Sequence, residues 1–78
     1  MDEDQKRRER ATWACSAWNT LHPVGTRVRY WPTLMAPPVE AVTRSPAWVL
    51  QSGTAVVALD RADGKTGAAC ALGHVRPA

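Results

Sequence analysis

From Thr26 to Trp31 the side chains alternate as they do along a strand, with Thr26, Val28 and Tyr30 on one face and Arg27, Arg29 and Trp31 on the other. The first face suits a core. The second carries two guanidinium groups and an indole. Pro23 ends whatever precedes this stretch, and Gly25 turns the backbone into it. Ahead of it, Asp2 to Leu21 has helical spacing: Asp2/Lys6, Glu3/Arg7 and Asp4/Arg8 are i,i+4 pairs, and Asp2 or Asp4 can cap the N-terminus. The first half of this helix is expected to be solvated. From Ala11 onward Ala14, Ala17, Trp18 and Leu21 form one apolar stripe with Trp13 beside it, so the second half is expected to pack across a sheet with Trp13 and Trp18 as core anchors.

After the basic strand, Thr33 to Pro38 has no periodicity and is bracketed by Pro32, Pro37 and Pro38, which predicts a loop. Val39 to Arg44 alternates again, Pro46 interrupts it, and Ala47 to Gln51 resumes with Trp48 and Leu50 on one face. Ser52-Gly53 reads as a two-residue hairpin turn. Thr54 to Asp60 is apolar on both faces, as a covered central strand would be. Asp63-Gly64 marks another turn, and Gly67 to Leu72 is a strand of small residues that would let the N-terminal helix approach closely. Gly73 to Arg76 reads as a turn and a closing strand. The expected fold is therefore α+β. The N-terminal helix, segment 1–21, packs on a small antiparallel SH3-like β-barrel or curled sheet of five to six short strands, segment 22–78, within a single domain.

The chain has 78 residues, four Trp, one Tyr and no Phe, with a formal net charge of +3. A chain this short buries only roughly 60% of its unfolded surface, which leaves little room for a deep active site. Charges cancel between Asp2 and Arg10. The excess lies later, where Arg27, Arg29, Arg44, Arg61, Lys65 and Arg76 face only Glu40, Asp60 and Asp63, so the strand-rich part favours anionic partners. With no apolar run long enough for a signal peptide or membrane span, the expected location is the cytoplasm of a host cell. Cys15 and Cys70 are then expected as buried thiols rather than a disulfide.

Candidate chemistry is sparse. Asp60 and Asp63 flank a turn, while His22 and His74 occupy ordinary hydrogen-bonding positions, and none of them makes a nucleophile, base and orienting acid set. Cys15, His22, Cys70 and His74 match the ligand count of structural zinc but lack its close pairings. The chain is thus expected to be no enzyme and to hold no metal or cofactor. What remains is the Arg27/Arg29/Trp31 face, extended by Arg44, Lys65 and Arg76. Solvated strand surface also carries such arginines. As a site, the face suits stacking of bases beside phosphate contacts, or a protein partner gripped through Trp and Arg.

Several stretches resemble a family of small uncharacterised proteins encoded by phages and prophages: His22-Pro-Val-Gly-Thr26, Val28-Arg-Tyr-Trp-Pro32, Thr43-Arg-Ser45 with Ala47-Trp48, Ser52-Gly53 with Val56-Val57, and Leu72 with His74-Val75. The likeness spans roughly Trp18 to Arg76. It implies a phage origin and brings neither an activity nor binding residues. The loop Thr33–Pro38 departs from it, being proline-rich where members tend to be glycine-rich and acidic. The ending Leu72 to Pro77 is also similar to the last turn and strand of SH3-like domains in retroelement integrases. The resulting expectation is a phage-type accessory module that binds nucleic acid or another anionic partner through its basic, aromatic strand face. The alternative is a phage-encoded inhibitor or modulator of a host protein, an anti-defence or host-takeover factor. Nothing in the chain sets an oligomeric state.

Overall fold

A computed structural model describes residues 2–78; Met1, the first residue of the segment expected to be helical, lies outside the described residues. Helix α1 runs Asp2–Leu21, and Pro23, which has no backbone N–H to continue the ladder, follows just beyond its end. Seven short strands come after it: β1 Arg27–Tyr30, β2 Val39–Thr43, β3 Trp48–Val49, β4 Ala55–Val57, β5 Leu59–Arg61, β6 Cys70–Ala71 and β7 Val75–Pro77. A 3₁₀ turn, Leu72–His74, leads into β7.

The strands are antiparallel, as expected, but they divide between two sheets, ordered β5-β2-β1-β7 and β3-β4-β6, and do not close into a barrel. The segment expected as one strand from Thr54 to Asp60 is what divides them. Val56, Val57, Ala58 and Leu59 are buried in succession, so the stretch is covered on both sides. It bends at Ala58, leaving β4 in one sheet and β5 in the other. At the bend the Ala58 N–H donates to Ser45 Oγ (3.2 Å) and its carbonyl accepts from the Arg44 N–H (3.0 Å), so neither backbone group is orphaned.

The helix is rotated from the expected face. Ala11, Cys15 and Trp18 are buried, whereas Trp13 and Leu21 are 76% and 70% exposed. Trp13 is therefore no core anchor. Asn19 fixes the rotation: its Oδ1 accepts from the Ala47 N–H (2.7 Å) and its Nδ2 donates to the Ala47 carbonyl (3.1 Å), so one amide side chain binds the strand entrance on both groups. The helix packs mainly on β3 and β4; of the small residues after Gly67 only Cys70–Ala71 form strand, and Cys70 shares the core cluster with Cys15 and Trp18. The charged half of the helix is exposed, as expected, yet two of its arginines reach the loop after β3. Arg8 donates to the Gln51 carbonyl, and the stems of Arg7 and Arg8 cover Gly53. That glycine has φ +91° and closes a three-residue loop, 51–53, because the Leu50 N–H bonds the Thr54 carbonyl and the Gly53 N–H bonds that of Leu50.

Thr43 holds the entrance to β1. It is 2% exposed, and its Oγ1 accepts from the N–H groups of Gly25 and Thr26 (both 3.0 Å) while donating to the Pro23 carbonyl (3.3 Å). Both donors also reach backbone carbonyls, those of Thr43 and Pro23. Thr43→Val is therefore expected to cost about 1 kcal/mol, the low end of the range for orphaning a buried group. Urea denaturation reads this directly, and a loss beyond about 3 kcal/mol would mean that the hydroxyl alone holds the turn.

Candidate functional site

The period-two pattern of β1 holds. Val28 is fully buried, Tyr30 lies half-buried against the core, and Arg27 and Arg29 are exposed on the outer face. Strand register then decides the company each arginine keeps. Arg29 sits opposite Glu40 on β2 and opposite Arg76 on β7, while Arg27 sits opposite Val42. Arg29 Nε donates to Glu40 Oε2 at 3.1 Å. Arg27 and Arg76 have no ion-pair partner among the described residues. The outer face is thus basic toward β7 and mixed toward β5.

Trp31, which follows β1, is half-buried and tied to the turn before β7. Its N–H donates to the His74 carbonyl (2.9 Å), and His74 Nδ1 lies 2.8 Å from the Trp31 carbonyl. A carbonyl only accepts, so Nδ1 carries the proton in this bond. Trp31, Leu34, Gly73, His74 and Arg76 line a surface cleft of about 250 Å³. Leu34 and Met35 are 88% and 95% exposed at the tip of a turn in which the Ala36 N–H bonds both the carbonyl and the Oγ1 of Thr33.

Arg44 and Lys65, also expected in the site, lie elsewhere. They line a separate cleft with Asp60 and Thr66 beside β5, the opposite edge of the sheet from β7. Arg44 also approaches Asp60 at 3.9 Å. Of the six expected residues, Arg29, Trp31 and Arg76 are brought together, Arg27 adjoins them on the same strand, and Arg44 and Lys65 stand apart. His74, Gly73 and Leu34 were missed as site residues. The exposed Leu34-Met35 pair inside a proline-rich loop was a usable signal, whereas the pairing of Trp31 with His74 depends on a contact between residues far apart in sequence.

Arg61, Asp63 and Tyr30 form a separate cluster beside the core. Arg61 donates to both carboxylate oxygens of Asp63 (3.1 and 2.6 Å) and stacks over the Tyr30 ring at 5.0 Å. These bonds hold the Asp63 carboxyl below its usual range. Burial pushes the Cys15 and Cys70 thiols up, and burial followed by the neighbouring Cys70 pushes the Tyr30 phenol up. Both thiols are free and belong to the same core cluster. Among the described residues no three His, Cys, Asp or Glu side chains gather as a metal site, and no helix is long and apolar enough to cross a membrane. Comparison of the chain with known family models, curated proteins and solved structures finds no match.

Proposed function

We propose that the chain is a non-enzymatic, cytoplasmic, phage-type binding module of SH3-like architecture that holds nucleic acid on the β1–β7 face. The architecture is supported by a final strand that leaves a 3₁₀ turn and pairs back onto the first strand, with one bent segment serving both sheets. One observation carries the ligand class. Arg29 and Arg76 stand directly opposite one another on neighbouring strands, an arrangement that repels, and Glu40 answers only one of them. A phosphate backbone supplies the missing negative charge.

The test is a titration of a labelled single-stranded oligonucleotide at several salt concentrations. Arg27→Ala/Arg76→Ala removes two exposed cations from strand positions whose side chains lie off the core, so the fold stays intact. The slope of log affinity against log salt is expected to flatten by about 1.4 units, the share of two single-strand phosphates. An unchanged slope refutes the proposal.

The exposure of Leu34 and Met35 favours a second reading, a phage-encoded modulator that docks on a host protein. In that case Leu34→Ala/Met35→Ala weakens the complex, and added salt changes it little.

A further inference from the structure

We propose that the cleft formed by Trp31, Leu34, Gly73, His74 and Arg76 is a subsite for one unpaired nucleobase, which makes the ligand single-stranded. This rests on the reading of the β1–β7 face as a nucleic-acid surface and goes further by fixing strand form and by giving the base a place. Size comes first. At about 250 Å³ the cleft is smaller than the roughly 300–1,000 Å³ of pockets that enclose a whole drug-sized ligand. It takes a ring and leaves the rest of the ligand on the surface.

Chemistry agrees with that size. Trp31 offers an aromatic face and Leu34 an apolar wall, the surroundings a flat ring needs for stacking. With Nδ1 of His74 engaged by the Trp31 carbonyl, Nε2 is left to hydrogen-bond a ligand. Unpaired bases carry amino and imino donors on their Watson–Crick edges. Arg76 borders the same cleft and stands opposite Arg29, so phosphates flanking the inserted base meet two guanidinium groups. The Trp31 and His74 sides of the cleft are joined by two hydrogen bonds, so these two residues need little ordering on binding. A paired base inside a duplex presents neither its face nor its Watson–Crick edge, and it is excluded.

Gly73 provides a test that spares the fold. Gly73 lines the cleft, a side chain added there meets nothing within 4 Å, and the backbone φ lies outside the left-handed region, so Gly73→Leu adds apolar bulk at the cleft lining without straining the chain. The experiment measures affinity of the full chain for a short oligothymidylate, for an abasic strand of equal length, and for the corresponding duplex. The parent is expected to prefer the oligothymidylate over the abasic strand by about 5- to 150-fold, the weight of one base on an aromatic ring, and to bind the duplex no better than the abasic strand. Trp31→Ala and Gly73→Leu should each bring the affinity for oligothymidylate down to that for the abasic strand. Should Trp31→Ala lower the melting temperature, Gly73→Leu decides. Equal affinity of the parent for oligothymidylate and abasic strand overturns the base subsite while the phosphate surface stands. A preference that survives both variants also overturns it, since the base then sits elsewhere. Absence of binding to every strand removes the nucleic-acid reading itself.

Discussion

Trp18→Ala is expected to lower stability by about 3–5 kcal/mol, out of the roughly 4–12 kcal/mol typical of a chain of 78 residues. Trp18 is 9% exposed and joins Cys15 in the core cluster with Val28, Val57 and Leu59. Its ring also meets that of His22, centroid to centroid at 4.4 Å. Truncation opens a void between helix and sheet, and the remaining polar ties, the Asn19 amide on the Ala47 backbone and Arg8 on the Gln51 carbonyl, replace none of that apolar area. Trp13→Ala is the internal control. That residue is 76% exposed, so its loss should stay within about 0.5 kcal/mol. Urea titration of both variants reads the difference, and similar midpoints would show that the helix does not dock through Trp18.

The second large effect is expected at Gly67, for a steric reason. Gly67 is buried, and its carbonyl accepts from the Leu59 N–H at 2.7 Å. A Cβ at this position would press on the Leu59 carbonyl oxygen more closely than real Cβ atoms approach anything, with Leu59 C and Arg61 Cγ each 3.2 Å away. The nearest obstacle is backbone and cannot swing aside. Gly67→Ala must push β5 outward and break the hydrogen bond, which places its cost at or above the top of the roughly 1–3 kcal/mol seen for overpacked cores. Thermal denaturation followed by circular dichroism tests this beside Gly73→Ala, which should melt with the parent. A Gly67→Ala chain as stable as the parent would mean that β5 and the segment before β6 separate freely.

The C-terminal end of α1 was legible in the sequence because Pro23 is a local signal, whereas the charge pair that forms near its start, Asp4 with Arg7, is spaced i,i+3 and not i,i+4. The buried face of the helix was not legible. Leu21 and Trp13 are more apolar than Cys15 and Ala11, yet the Asn19–Ala47 bonds turn the helix so that Ala11 and Cys15 face inward, and no periodicity count registers such a tether. The same distinction separates the site residues. That Arg27 and Arg29 point outward follows from the pleat of a single strand. That Arg76 lands opposite Arg29 follows from the 3₁₀ turn and the Trp31–His74 bonds, which set a register between distant segments. The split at Ala58 was hidden for a related reason, since four consecutive buried residues read as one strand until Ser45 Oγ is seen to satisfy the bend.

The continuous stretch Ala55–Arg61, which lends a strand to each sheet without a loop between them, makes the unfolding of the two sheets one event. Pulling β4 out of its pairing with β3 and β6 drags β5 away from β2, so neither sheet constitutes a separately melting unit. Local opening is left to elements outside this stretch, such as the turn carrying Leu34 and Met35. The pairings that complete the unit join distant parts of the chain, β1 with β7 above all, and loop-closure entropy must be met before they form. The molecule is therefore expected to fold slowly for its length, as stopped-flow refolding would measure, and to keep covered the strand edges that seed aggregation when bare.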